Sequence, residues 1–245
     1  MPWNLILRGS GGRRAELWWR HAALSRSSLP WQYRDVRTPV LDLFRPAVWL
    51  GARLYFGIRF EGVENIPRDG GLIITPNHVT YADPPLVTIP VRRPVYYMAW
   101  SALFRIPVFS WVIRRLRAFP VEIESADPRA TREAVRLLDA GAAVMIFPEA
   151  GRSPDGRLQR FRPGAFRLAC SRKVPVLPVT IIGGSESWPP GRWLPRPGRL
   201  TIVYHPLIWP AGDEDVKGAA QEMARNVRAA VVSALPPALR PPDGE

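Results

Sequence analysis

The sequence predicts an α/β fold in which a mostly parallel central sheet is flanked by helices. Two observations support this prediction: short strand candidates alternate with helix candidates from Gly71 to Ile182, and several strand candidates are almost wholly apolar. Apolar strands are typical of a parallel sheet that is covered on both faces, and the helices supply the crossovers between parallel strands. The 245 residues, 47% of them hydrophobic, are sufficient for one core of this kind.

Local signals define the elements. The clearest is a helix that begins at the predicted N-cap Asp127, has Pro128 in its first turn and ends at Gly141, before an apolar strand over residues 142–147. The other predicted strands are residues 71–76, 93–100, 118–123, 174–182 and 198–207, the last of them nearer a sheet edge. The other predicted helices cover residues 84–89, 103–113, 165–171 and 216–235.

The chain is expected to divide into three parts. Residues 1–37 are an N-terminal helical arm rich in Trp and Arg, residues 38–235 are the main domain, and residues 236–245 are a disordered tail. A helix over residues 39–58 is expected to lead into the domain. It should be interrupted at Pro46, because proline has no amide hydrogen for the helical ladder.

The charge of the chain points to an anionic partner. The net charge is +13, and it comes almost wholly from arginine, whose guanidinium group matches the geometry of phosphate. Cys170 is the only cysteine, which excludes an intrachain disulfide, a thiolate metal cluster and a CxxC redox motif. We therefore expect a reducing, cytoplasmic setting and no metal or cofactor.

Aromatic and cationic residues occur together in residues 16–21, 43–56 and 103–119. No apolar run in the sequence is long enough to cross a membrane. The three segments are interpreted either as core helices with solvated arginine ends or as segments that lie in a lipid headgroup layer. Together they favour a peripheral protein on the cytoplasmic face of an anionic membrane.

A polar stretch, "NHVTYAD", follows the strand over residues 71–76. His78 and Asp83 are five residues apart, so on a regular helix their directions would differ by about 140°. A turn followed by a new helix would instead bring them together. Asp83 would then hold one imidazole nitrogen while the other accepts a proton.

A second polar stretch, "FPEAGRS", follows the strand over residues 142–147 and contains Glu149, Arg152 and Ser153. Because functional groups gather beyond the carboxyl ends of parallel strands, both stretches are expected on the same edge of the sheet. A carboxylate and a guanidinium group there would hold a polyol phosphate. The alternative is a structural Glu149–Arg152 pair that caps the loop.

These two stretches, followed by "VPVLPV", resemble the NHx(4)D, FPEGTRS and VPxxPV blocks of the glycerolipid acyltransferases, the group that includes 1-acylglycerol-3-phosphate acyltransferase. The resemblance covers about residues 55–210. It implies the fold of that family and transfer of a fatty acyl group from acyl-CoA or acyl carrier protein to a lysophospholipid hydroxyl, in phospholipid biosynthesis. No seryl or cysteinyl nucleophile is then needed, because the substrate supplies the hydroxyl.

The resemblance also implies roles for particular residues. His78 would be the general base and Asp83 would orient it. Glu149 and Arg152 would hold the glycerol phosphate of the acceptor, while Asn77 would fix the turn. The residues expected at the substrate are Asn77, Glu149, Arg152, Ser153, Arg162, Pro175 and Pro178, the two prolines on the acyl-donor side.

The sequence departs from the family pattern at several positions. Ala150 and Gly151 replace Gly and Thr, Glu122 and Ile123 fall where the middle block ends in Asp-Arg, and Trp100 replaces a frequent lysine. The identity of the acceptor is therefore undecided. Either Arg129, Arg160 or Arg162 supplies the phosphate contact that the missing arginine would make, or the acceptor is a glycolipid or another hydroxylated lipid.

A third interpretation is a protein without catalytic activity that binds anionic membranes or nucleic acid through its charge. Nucleic acid is the less expected ligand, because the sequence has no recognition-helix, RNP or zinc pattern.

Overall fold

A computed structural model describes residues 39–122, 127–189, 192, 194–212 and 215–241 of the chain. The predicted arm over residues 1–37 lies outside them. The strands are β1 Arg59–Glu61, β2 Leu72–Pro76, β3 Val95–Trp100, β4 Ala118–Val121, β5 Ala143–Met145, β6 Val176–Ile182 and β7 Thr201–Tyr204. The α-helices are α1 Pro39–Phe56, α2 Asp83–Thr88, α3 Pro107–Arg115, α4 Pro128–Asp139, α5 Gly164–Arg172, the single turn α6 Gly184–Ser187, and α7 Val216–Ala234.

The described strands form one seven-stranded sheet in the order β1-β7-β6-β2-β5-β3-β4. Every neighbouring pair is parallel except β6 and β7. The predicted α/β fold with a mostly parallel sheet is confirmed. Strand β1 was not predicted, because its three residues, Arg-Phe-Glu, have neither an apolar run nor a clear alternation.

Both faces of the sheet are buried, which explains why its central strands are apolar at nearly every position. Alternate strand residues such as Ile73, Val144 and Val176 face a core formed with α4, α5 and α7. Their neighbours Ile74 and Met145 face a second core, which α1 and α2 help to form. Successive strand residues point to opposite faces, so two cores require apolar residues at consecutive positions.

Two local expectations are wrong. Helix α1 continues through Pro46, which lies on its exposed side, so the loss of one backbone hydrogen bond there does not end the helix. Residues 236–241 are ordered rather than a disordered tail: Pro237–Leu239 forms a 3₁₀ turn, and the carbonyl of Leu239 accepts from the amide of Leu158 at 3.0 Å. The side chain of Leu239 packs on the core, which supplies the apolar burial that a free tail lacks. Residues 242–245 lie outside the described ranges.

The strand directions define one functional edge of the sheet, here called the carboxyl edge. It is the edge at which β2, β3, β4, β5 and β6 end. Because β7 runs antiparallel to β6, pairing Thr201 with Ile182, both β7 and its parallel neighbour β1 begin at this edge. The end of α1, which leads directly into β1, therefore lies at the carboxyl edge as well.

Candidate active site

Three loops meet at the carboxyl edge: residues 77–82 after β2, residues 147–160 after β5, and the α6 turn after β6. The amide of Ser153 donates to the carbonyl of His78 at 2.8 Å, which ties the first loop to the second. Gly184 packs the third against the first so closely that an added Cβ would lie 2.5 Å from Cγ2 of Val79. The two polar stretches quoted above are therefore neighbours in space.

The side chains of His78 and Asp83 are in contact, because the chain turns between them and then begins a new helix. His78 Nδ1 lies 2.9 Å from Asp83 Oδ2, and Asp83 begins helix α2. The imidazole stacks on Phe147 of the second loop, with ring centroids 3.9 Å apart. The His78 side chain is 19% exposed, so a substrate can reach it. With Nδ1 held by the carboxylate, Nε2 is the nitrogen left to accept a proton.

The Asp83 carboxylate is buried and held rigidly. Its Oδ2 accepts from the amides of Val79 and Thr80 at 2.7 and 2.8 Å, and its Oδ1 accepts from the Thr80 hydroxyl at 2.5 Å. Because these donors fix the carboxylate, the carboxylate fixes the orientation of the imidazole. The arrangement is the histidine–carboxylate half of a hydrolase triad, without a protein nucleophile.

Glu149 is buried, and the protein uses both of its carboxylate oxygens. Oε1 accepts from the amide of His78 at 2.7 Å, and Oε2 accepts from the amide of Gln159 at 2.9 Å. Burial raises the Glu149 pKa to about 7; the two amide hydrogen bonds oppose the shift and the charge of Asp83 adds to it. The predicted role of Glu149 as a phosphate holder is not supported by these contacts. The side chain instead positions the backbone at His78.

Arg152 pairs with an aromatic ring rather than with Glu149. Its Cζ lies 3.6 Å from the ring centroid of Tyr81, and its Nη2 donates to the Tyr81 hydroxyl at 2.7 Å. The Tyr81 ring also meets Trp188, next to α6, in an edge arrangement with ring centroids 6.3 Å apart. The guanidinium group is therefore held on the exposed rim of the loop that contains His78.

Two other predicted substrate-binding residues have structural contacts. Asn77 is buried and spans the backbone of Ile181: its Oδ1 accepts from the amide at 2.7 Å, and its Nδ2 donates to the carbonyl at 3.1 Å. The hydroxyl of Ser153, also buried, donates to the carbonyl of Arg157 at 2.7 Å. These contacts favour the turn-fixing interpretation of Asn77 over substrate binding, and they give Ser153 a similar role within its loop.

The predicted position of the two prolines is not supported. Pro178 is buried inside the sheet opposite Thr75, and the carbonyl of Pro175 accepts from the amide of Ile73 at 3.1 Å. Ile73 precedes His78 by five residues, which is about 15 Å along an extended chain. Pro175 therefore lies toward the opposite edge from His78, and its role on the acyl-donor side stays a prediction. The parallel register of β2 and β6 sets this separation, and the motif alone does not show that register.

Arg162 is exposed on the chain that follows the second loop, where its backbone amide donates to the carbonyl of Pro148 at 2.8 Å. Its role at the substrate stays a prediction. Sequence reasoning missed Tyr81, Thr80, Phe147 and Gln159, although three of them lie within or beside the quoted motifs. The motif shows that these residues are close in sequence, but it does not show which way each side chain points.

Ala150 adopts an unusual backbone conformation, with φ at +57°. A side chain in this left-handed region costs about 1 kcal/mol, a cost that glycine avoids. We expect Ala150→Gly to raise the free energy of unfolding by about 0.5 kcal/mol, the relief being partly offset by the greater freedom of glycine in the unfolded chain. Urea denaturation monitored by circular dichroism would measure it.

The adjacent glycine supplies the matched control. An added Cβ at Gly151 meets no atom within 4 Å, so Gly151→Ala should not destabilise the protein. A loss of stability in Ala150→Gly would contradict the strain interpretation.

No group of three or more His, Cys, Asp or Glu side chains suited to a metal ion is found among the described residues. Within the same ranges, no helix is long and apolar enough to cross a membrane.

The acyltransferase family model matches residues 57–182, the region that contains the first two loops and ends with β6. This chain belongs to the acyltransferase family. The acyltransferase is 30% identical over 192 residues to the 1-acyl-sn-glycerol-3-phosphate acyltransferase of Pseudomonas aeruginosa, covering 76% of this chain and 72% of that protein. It is 29% identical over 173 residues to a chloroplastic 1-acyl-sn-glycerol-3-phosphate acyltransferase of Arabidopsis thaliana, and it spans about half (48%) of that relative.

A solved structure has the same architecture as this acyltransferase. The crystal structure of the 1-acyl-sn-glycerophosphate acyltransferase PlsC from Thermotoga maritima superposes with a TM-score of 0.66 at 31% identity. The superposition covers 85% of this chain and 86% of that one. The predicted acyltransferase family and its fold are therefore confirmed.

Proposed function

We propose that this acyltransferase transfers a fatty acyl group from acyl-CoA or acyl carrier protein to the hydroxyl of a lysophospholipid such as 1-acylglycerol-3-phosphate, in phospholipid biosynthesis. The observation that supports the proposal best is the 2.9 Å contact between His78 and the buried Asp83. This pair lies beside the second loop, where the Arg152 guanidinium group is held against Tyr81. The names of the relatives at about 30% identity agree with this substrate class.

In the proposed reaction the acceptor hydroxyl is the nucleophile. Nε2 of His78 removes its proton as the oxygen attacks the thioester carbonyl carbon, and Asp83 stabilises the imidazolium that forms. The carbon–sulfur bond then breaks, and the departing thiolate takes the proton from the imidazolium. The products are an oxygen ester and a free thiol, and the histidine returns to its neutral form.

Arg152 is the group best placed to hold the phosphate of the acceptor. Its planar guanidinium group presents several N–H donors in a fork that suits phosphate, and the Tyr81 ring limits its motion. Glu149 acts indirectly, because both of its oxygens bind backbone amides. The first loop would then supply the base and the second the anion-binding cation.

A second candidate keeps this chemistry and changes the acceptor to a glycolipid or another hydroxylated lipid. It is favoured by Ile123, which stands where the resemblance places a phosphate-contacting arginine. Glu122, which stands where the family has Asp, is exposed just after β4. These two positions therefore offer a phosphate no cation, whereas the Glu122 carboxylate can accept a hydrogen bond from a sugar hydroxyl.

A panel of acceptors separates the two candidates. Purified protein with labelled acyl-CoA or acyl carrier protein is offered lysophosphatidate, an uncharged monoacylglycerol and a lysoglycolipid. We expect kcat/KM for lysophosphatidate to exceed that for monoacylglycerol by roughly tenfold or more, the contribution of one charge-assisted phosphate contact. Arg152→Gln should remove most of this preference, mainly through KM for lysophosphatidate.

Arg136→Gln is the control, because Arg136 is an exposed arginine on α4 that pairs with Glu133, away from the three loops. It should leave the preference unchanged. A higher kcat/KM for the lysoglycolipid, unaffected by Arg152→Gln, would replace the first candidate with the second.

A further inference from the structure

Helix α3 exposes most of its apolar surface. Of its nine residues only Ile113 is buried, whereas Val108 is 77% and Trp111 59% exposed. Ile106, just before the helix, and Trp100, at the end of β3, are also exposed. An amphipathic helix of a soluble protein normally turns such side chains toward the core. These four apolar residues, Trp100, Ile106, Val108 and Trp111, are called the apolar platform below.

The surroundings of the apolar platform are cationic. The sequence from Pro84 to Val121 contains no Asp or Glu but several arginines. The Cζ of Arg115 lies 4.4 Å from the Trp111 ring centroid, and that of Arg114 lies 5.0 Å from the Phe104 ring centroid. Arginine beside exposed aromatic rings matches the boundary of an anionic bilayer, where the rings enter the headgroup layer and the cations meet phosphate.

The topology puts the beginning of the apolar platform at the same edge as the candidate site. Strand β3 is parallel to β5, and β5 to β2, so Trp100 lies at the carboxyl edge with His78. The end of α1, where Leu54 is exposed, lies at this edge on the other side of β2 in the sheet order. His78 is therefore flanked on both sides by exposed apolar residues.

We infer that the apolar platform docks on an anionic lipid bilayer and turns the carboxyl edge, with His78, toward the lipid surface. The inference deepens the proposed function, on which it rests only in taking the acceptor to be a lipid. Charge decides between lipid and a second copy of the chain. At a net charge of +13 two copies repel each other, and the acid-free segment from Pro84 to Val121 offers the same segment of another copy no ion pairs, whereas an anionic bilayer attracts it.

Vesicle cosedimentation tests the inference. The double variant Val108→Ser, Trp111→Ser is compared with the wild-type protein on phosphatidylglycerol-containing and pure phosphatidylcholine vesicles. The wild type should bind the anionic vesicles more tightly, and the double variant should lose roughly tenfold or more of that partition coefficient. Its activity on an acceptor dispersed in detergent micelles should equal that of the wild type, because neither changed residue belongs to the proposed site.

The matched control is Trp209→Ser, Val216→Ser. Both residues are 38% exposed, and they follow β7, whose end lies at the opposite edge of the sheet. This control should bind anionic vesicles as the wild type does. The inference is overturned if the Val108→Ser, Trp111→Ser variant binds as tightly as the wild type. It is also overturned if that variant only converts a dimer to a monomer in size-exclusion chromatography.

Activity and binding are read separately. A wild type that binds anionic vesicles through the platform but transfers no acyl group in micelles would count against the proposed function and not against the docking surface.

Discussion

Replacing His78 with alanine is expected to lower kcat for acyl transfer by about 10³-fold while leaving the fold intact. The imidazole is the group that can take the proton from the acceptor hydroxyl, and its Nδ1 is already held 2.9 Å from Asp83. The fold should persist because the elements that position the loop, β2 and α2, pack through other residues. Initial rates with a labelled acyl donor, together with circular dichroism, would measure both effects.

Asp83→Asn tests the second member of the pair. The amide keeps the size of the carboxylate, but its NH₂ group would face one or more of the donors at Val79 and Thr80. We expect a loss of kcat of about 10²-fold or more, with some loss of stability.

His205→Gln is the control for His78, because His205 is buried just after β7, where its Nε2 lies 2.8 Å from the hydroxyl of Thr180 on β6. It should retain the wild-type kcat at a temperature where it is folded. If His78→Ala kept its activity within an order of magnitude of the wild type, the general-base mechanism would be wrong.

Replacing Glu149 with glutamine is expected to change how stability depends on pH. The folded-state pKa of Glu149, about 7, lies above the ordinary value of 4.5 because of burial. The folded protein therefore binds this proton more tightly than the unfolded chain does. The resulting stabilisation is complete below pH 4.5 and is lost as the pH rises to 7, and a shift of this size corresponds to about 3 kcal/mol.

The glutamine variant has no such proton, so the difference in unfolding free energy between wild type and Glu149→Gln should shrink by about 3 kcal/mol from pH 4.5 to pH 7. Glutamine also places an NH₂ group against one of the two amides that Glu149 binds, which should destabilise the variant at every pH. Paired urea denaturation curves over this range would measure the difference.

Asp155→Asn, in the same loop, is the matched control for the pH experiment. Asp155 is exposed, and the backbone amide of Arg157 lowers its pKa below the ordinary value of 3.8. The stability difference that this variant causes should therefore stay constant between pH 4.5 and pH 7. A constant difference for Glu149→Gln as well would show that Glu149 is ionised throughout this range.

The sequence predicted which two polar loops form the site and which chemical groups they carry. The apolar strands identified where "NHVTYAD" and "FPEAGRS" begin, and the rule for parallel strands put them on one edge. The alternative of a structural Glu149–Arg152 pair is not what the structure shows, because the two side chains have other partners. Glu149 binds the amide of His78, and Arg152 binds Tyr81, each across 71 residues of chain.

The sequence alone determined the α/β class, the capped helix after Asp127 and the local turn that joins His78 to Asp83. These features depend on side-chain periodicity, helix caps and hydrogen bonds between residues a few positions apart. A short stretch of sequence is enough to show each of them. Tertiary structure alone decided three features: the strand register that separates Pro175 from His78, the hydrogen bonds of buried Glu149 to the amides of His78 and Gln159, and the exposure of the apolar platform. Each depends on which distant segments pack together, and that is settled by burial over the whole domain.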